Sequence, residues 1–201
     1  LFKFNSGHIE VITGPMFSGK TEELIRRLKR AVYAKKKIAL FKPLMDDRYS
    51  KDEVVSHSNY KFESVDVESP KDIELHILNT SHIVDIIAID EVQFLCKTSE
   101  EEEYLINVVN SFADLGARVI ITGLDQDFKG DHFSIVSKLM AAAEVVDKLS
   151  AICVNCGAPA TKTQRIIDGQ PAAADSPIIL VGGDESYEAR CRNCHEVLQI
   201  L

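Results

Sequence analysis

The sequence predicts an α/β fold: a parallel sheet covered by helices on both faces, with a small metal-binding unit after it. Three observations lead there. Gly14 to Thr21 read GPMFSGKT, a phosphate-binding-loop pattern set between a strand-like run and a helix-like one. Short aliphatic runs then alternate with helical patterns as far as Leu149, as expected when helices connect parallel strands. From Ala151 onward two Cys-x-x-Cys pairs appear. The expected division is residues 1–150 for the nucleotide-binding part and 151–201 for the metal-binding part.

His8 to Ile12 reads as a short strand entering the loop. Behind it Leu24, Ile25, Leu28, Ala31 and Val32 recur at helical spacing, leaving Arg26, Arg27, Lys29 and Arg30 on a solvated face. Ile38 to Phe41 is compact and apolar, like a buried parallel strand, and Pro43 is expected to stop its pairing. The polar stretch Met45 to Ser50 follows that strand end, where parallel sheets hold ligands, and Lys51 to Tyr60 has no clear period. Asp72 to Asn79 carries a helical pattern. Val84 to Ile89 is nearly continuous aliphatic and runs into Asp90-Glu91. Glu100 to Leu115 reads as a helix with an acidic first turn suited to its dipole, closed by Gly116. Arg118 to Thr122 is another buried strand. Ser134 to Leu149 reads as one helix, with Ile135, Leu139, Ala142, Ala143 and Val146 as its apolar stripe.

The loop chemistry needs these residue types. Gly14 and Gly19 let consecutive N–H groups converge on phosphate oxygens. Lys20 brings a mobile positive charge to the outer phosphates, and the Thr21 hydroxyl can ligate Mg²⁺. The helix opening there favours an anion. A nucleoside triphosphate is therefore the expected ligand. At the tip of the Val84–Ile89 run, Asp90 is expected to help hold Mg²⁺. Adjacent carboxylates on an extended chain face opposite ways, which frees Glu91 for one of two tasks. It can activate water, as in an ATPase, or take a proton from an acceptor hydroxyl, as in a kinase; the strand tip alone does not decide.

Cys153, Cys156, Cys191 and Cys194 supply four thiolates, the ligand set of a closed structural Zn²⁺ site. His195 is an alternative ligand that four thiolates leave no room for. Cys96 stands alone and reads as a small apolar residue. The pairs are far apart, implying an extended loop from Gly157 to Arg190 tied at its base. Gly169, Pro171, Pro177, Gly182 and Gly183 argue against a packed element, yet Ile178-Ile179-Leu180-Val181 is too apolar for a free linker. The loop is read as a lid that excludes competing water.

Bulk properties narrow the partners. The net charge is −8, with basic residues gathered at Arg26 to Lys37, so a small anionic ligand suits the chain better than DNA or RNA. No apolar run approaches the ~20 residues that span a bilayer. Leu1 to Phe4 lacks a secretory pattern, and a cytoplasmic location without membrane contact is expected.

Taken together, GPMFSGKTEELIRRLKR, KPLMDDRYS, IDEVQF, GLDQDFKGDHF, the cysteine pairs and VGGDESYEARCRNC resemble the type II thymidine kinases. The resemblance runs from His8 to His195. It implies a P-loop (RecA-like) sheet plus a small zinc-ribbon domain bearing a lasso-shaped lid, and transfer of the γ-phosphoryl of ATP to the 5′-hydroxyl of thymidine or deoxyuridine. It implies Glu91 as catalytic base, and ATP contacts from Gly14, Pro15, Met16, Phe17, Ser18, Gly19, Lys20, Thr21, Asp46, Asp47, Arg48, Asp90 and Gln93. Nucleoside contacts are implied for Met16, Arg48, Glu91, Leu124, Phe128, Phe133, Thr163, Tyr187 and the lid residues Ile178, Ile179, Leu180, Val181 and Gly182. A homotetramer inhibited by dTTP is implied as well. The chain departs from the family pattern at Val92 and at Leu95-Cys96-Lys97, none of them a reacting group. A motor-type ATPase with Glu91 activating water, or a non-catalytic nucleotide-controlled binding module, are the rival readings. The acidic charge opposes the first, and Glu91 with Arg48 the second.

Overall fold

The computed structural model describes residues 7–44, 62–178 and 186–198. Its centre is a six-stranded parallel sheet of β1 (His8–Thr13), β2 (Ile38–Pro43), β3 (Val65–Val67), β4 (Ile86–Ile89), β5 (Arg118–Gly123) and β6 (Val145–Lys148). The order across it is β3-β2-β4-β5-β1-β6. One strand, β5, thus separates β1 from β4, and register aligns Thr13 with Gly123 and Ile89 with Ile121. The carboxyl ends of β1, β4 and β5 therefore open onto one edge.

Period-two alternation explains the two-sided burial. In β4, Ile87 and Ile89 enter one core, and Ile86 and Ala88 enter the other. Helix α1 (Lys20–Tyr33) covers the second face with Leu24, Leu28 and Ala31. Helices α2 (Pro70–Leu78), α3 (Ser99–Asp114) and α4 (Ser134–Ala142) cover the first, through Ile73, then Leu105, Val109 and Phe112, then Ile135, Val136 and Leu139. Cys96 packs against this core, where burial pushes its thiol up to about 12. Among the described residues no helix is long and apolar enough to cross a membrane.

Several expectations need correction. The helix expected over 134–149 stops at Ala142, and Val145–Lys148 becomes β6, paired in parallel with β1. The open edge of β1 outcompetes helix continuation. Glu144 donates its N–H to Ile9 O and accepts the Ile9 N–H at 2.6 Å, and Val145-Val146 suits a pleated edge. Val146 is 39 % exposed and belongs to no apolar stripe. Pro43 is the last residue of β2, as the sequence suggested, but is itself still paired. It pairs with Val67 of β3, a strand with no sequence expectation, while β4 pairing stops at Phe41, so the missing N–H falls where no ladder bond is needed. Arg27 is not on a solvated face; it reaches Glu10, Glu23 and Asp147.

The tied segment is more ordered than a loop. Strands β7 (Ala151–Ile152) and β8 (Pro159–Ala160) form a hairpin, and β9 (Lys162–Ile167) pairs with β10 (Gln170–Pro171) and antiparallel with β11 (Tyr187–Arg190). Thr163, Gln164 and Arg165 of β9 are buried. Strand pairing hides their backbone polar groups, which composition alone does not reveal.

Candidate active site

The 14–21 loop leaves the tip of β1 and ends in α1. Gly14 has φ 141°, and a Cβ there would lie 2.5 Å from Leu149 O, so no other residue fits that approach. Within the loop Ser18 Oγ and Lys20 Nζ both donate to Pro15 O, at 2.8 and 2.9 Å. Burial pulls the Lys20 ammonium below its ordinary pKa, and the carboxylates of Glu91, Asp90, Asp125 and Glu22 oppose it. The Met16 N–H donates to Thr163 Oγ1 at 3.1 Å, which ties the loop to β9, while Phe17 is exposed and left-handed at φ 64°.

Asp90 follows β4 directly. Its Oδ2 accepts from the Thr21 hydroxyl at 3.3 Å, and its Oδ1 accepts from the Thr122 hydroxyl and from the Glu91 N–H. A hydroxyl and a carboxylate side by side form the kind of hard oxygen pair that suits Mg²⁺. Glu91 points elsewhere for a reason the sequence did not supply. Its backbone is left-handed, φ 53°, at the start of a 3-10 turn over Val92–Phe94, so the expected extended-strand geometry is wrong, although the two carboxylates do take different partners. Burial raises the Glu91 carboxyl above its ordinary value, and Asp90 adds to that; Lys20 and the Gln93 amide act oppositely. Gln93 itself donates to Glu91 Oε2 and accepts from the Leu124 N–H at 3.0 Å. A raised carboxyl in such a setting is poised as a general base or acid.

Leu124 and Asp125 leave the tip of β5 beside these groups. The Asp125 carboxylate meets Lys148 at 2.6 Å. Farther along, Phe128 is 3 % exposed, with the Arg165 guanidinium 5.4 Å and the Lys129 ammonium 5.6 Å from its ring centroid. Arg165 also donates to Pro177 O, just before Ile178, which is exposed. Phe133 precedes α4 and packs on the core. Tyr187 faces Arg165 across the β9–β11 pair. Asp46, Asp47, Arg48, Ile179, Leu180, Val181 and Gly182 lie outside the described residues. Thr122 and Arg165 had no expectation: a strand threonine and an arginine in a Gly/Pro-containing segment carry no local signal of what they touch.

The four cysteine sulfurs lie within 4.8 Å of one another, with Cys156 and Cys191 at 3.6 Å. Thiolates ~2.3 Å from a central Zn²⁺ are about 3.8 Å apart in a tetrahedron, so the donor set fits. Each pair sits in a tight turn: the Gly157 N–H bonds to Cys153 O at 2.9 Å and the Cys194 N–H to Cys191 O at 3.1 Å. Burial raises the Cys153 thiol, yet backbone N–H groups of Cys191, Cys156 and Asn155 bring it down to about 6. Hydrogen bonding with Cys191 and Cys156 pushes Cys194 up to about 12. A central cation would relieve that crowding. His195 turns away and donates from Nε2 to Phe128 O at 2.8 Å.

With this geometry in view, one comparison is informative: the family model described as thymidine kinase matches residues 7–195.

Proposed function

The chain belongs to the thymidine kinase family, and from that premise we propose how its own residues serve the reaction. The protein is a thymidine kinase, an ATP-dependent phosphotransferase that moves the γ-phosphoryl of ATP to the 5′-hydroxyl of thymidine. Deoxyuridine is proposed as a second acceptor.

Residues 14–21 form the P-loop that cradles the phosphates, with Lys20 neutralising charge on the outer ones. Thr21 and Asp90 would hold Mg²⁺, which would neutralise phosphate charge. Glu91 accepts the proton of the 5′-hydroxyl as the acceptor oxygen attacks, and burial, by raising its pKa, makes it a stronger base than an exposed carboxylate. Leu124, Phe128, Phe133, Met16 and Thr163 wall the nucleoside, and Tyr187 meets the sugar. The four cysteines would hold a structural Zn²⁺ in a unit spanning 151–201, distinct from the ATP-binding unit of 1–150. A cytoplasmic homotetramer under dTTP inhibition, with no nucleic-acid partner, completes the reading.

The observation that carries it is the convergence of Lys20, Thr21, Asp90 and Glu91 at one sheet edge, joined by the Thr21–Asp90 bond and by the charge of Glu91 and Asp90 on Lys20. The experiment is an acceptor comparison. Purified protein with Mg·ATP is offered the four common deoxynucleosides and deoxyuridine. Thymidine and deoxyuridine should be converted to monophosphates, and deoxyadenosine and deoxyguanosine should not. Phosphate release without nucleoside conversion, stimulated by DNA or RNA, would transfer the site to the motor-type reading.

A further inference from the structure

Gln93 is buried in the turn after Glu91, and both ends of its amide are occupied within the protein. The Leu124 backbone N–H can only donate, so the oxygen of the Gln93 amide must face it, and the NH₂ group must face Glu91. That settles the amide orientation from chemistry. The slot is tight: a Cβ on Gly123 would lie 2.9 Å from Gln93 Oε1 and 2.9 Å from Val92 Cγ1. With its oxygen anchored and its slot this narrow, the amide has little freedom to turn toward another partner. One oxygen of Glu91 is thereby pinned, and the other has no hydrogen-bond partner among the described residues.

We propose that Gln93 is a positioning residue for the general base: anchored on the Leu124 backbone, it fixes the Glu91 carboxylate so that its free oxygen addresses the acceptor hydroxyl. The proposal rests on the reading of Glu91 as that base. It also links the base to the β5 tip, so a shift of Leu124 on nucleoside binding would be transmitted to Glu91 through one side chain. The charges facing Glu91 among the described residues are Asp90 at the tip of β4 and Lys20 from α1. Asp125 after β5 faces Lys20 in turn, with Lys148 of β6 on its other side. Gln93 is the neutral donor in this set.

The test compares wild type with Gln93→Met, which keeps the volume and loses the donor, and Gln93→Glu, which can still accept from Leu124 but sets a carboxylate against Glu91. Gln93→Met should lower kcat about tenfold, as loss of a hydrogen bond to a charged group predicts, with the KM for Mg·ATP unchanged. Gln93→Glu should lower kcat further, because it sets a like charge beside Glu91. A KM for Mg·ATP raised about tenfold with kcat unchanged would make Gln93 an ATP ligand and overturn the proposal; wild-type kinetics would do so too. A reading independent of variant folding is hydrogen exchange of the Gln93 side-chain amide in the wild-type enzyme. It should be slow, as for an NH₂ held in a hydrogen bond, and exchange at the rate of a free amide overturns the proposal. An active wild type with inactive Glu91→Gln and unaltered Gln93 variants defeats only this inference. Full activity in Glu91→Gln defeats the assignment of the base itself.

Discussion

One torsion separates the work of two neighbouring carboxylates. Asp90 follows an ordinary strand and accepts from Thr21, Thr122 and its own neighbour's N–H, and its oxygens beside the Thr21 hydroxyl suit a hard metal ion. Glu91, left-handed at φ 53°, turns into a drier setting where burial raises its carboxyl. As the base it must be ionised, so turnover should fall as pH drops through a value above the ordinary carboxylate range. Glu91→Gln should lower kcat by about 10²-fold or more while Mg·ATP binding, measured by calorimetry, changes little. A variant within a few-fold of wild type would remove Glu91 from the chemistry. The phosphate-loop pattern was readable in the sequence because its spacing is itself the chemistry, whereas the expected role of Glu91 came from the family resemblance and not from the strand tip. Thr122 and the orientation of Gln93 were not readable, since each acts through a contact between β4 and β5 that no local pattern encodes.

Between elements, Glu10 on β1 is the main polar tie. It accepts from the Arg118 guanidinium of β5 through both oxygens, at 2.7 and 2.8 Å, and also meets Arg27 of α1 and His8. Arg27 continues to Asp147 on β6, so one cluster clamps the phosphate-loop helix to three adjacent strands. Burial alone would raise the Glu10 carboxyl; Arg118, His8 and Arg27 overcome it and lower the pKa from 4.5 to about 2. A depressed carboxyl stabilises the fold above its unfolded pKa. That contribution, about 3 kcal/mol, is present at neutral pH and lost as pH falls from 4.5 toward about 2. Glu10→Gln should lose about 1–3 kcal/mol at pH 7, because Arg118 loses its charged acceptor while Arg27 keeps Glu23 and Asp147. Its stability should also fall less steeply below pH 5 than that of wild type, as read by chemical denaturation. An unchanged acid slope would locate the acid sensitivity elsewhere. The buried strands were legible from aliphatic runs, whereas β6 was not. Its Val145-Val146 fits a helical stripe as well as a strand, and only the vacant edge of β1 decides between them.

Over the whole molecule, the cysteine cluster is joined to the reacting groups by a short series of contacts. Cys191 follows β11 directly; β11 pairs with β9; and Thr163 of β9 accepts the Met16 N–H of the phosphate loop. His195, next to Cys194, holds the carbonyl of Phe128, whose ring carries Arg165 of β9 against it. The core packed directly around the cysteines is small, chiefly Ala151, Ala160 and Ala189. Apolar burial of that size cannot by itself offset the ordering of three short strands and two turns. A tetrathiolate Zn²⁺ site would supply the missing constraint, since metal affinity becomes folding free energy. Cys153→Ser should therefore release zinc, measured by elemental analysis, and loosen β9 and β11, measured by faster amide exchange there than in β1 or β4. The kinetic consequence should be uneven. The KM for thymidine should rise about tenfold or more, because Phe128 and Thr163 lose their backing, while Mg·ATP binding at Lys20 and Thr21 falls less, since α1 is clamped independently through Arg27. Equal losses for both substrates would mean that the metal supports the entire fold rather than the nucleoside side of it, and unchanged zinc content would overturn the ligand assignment.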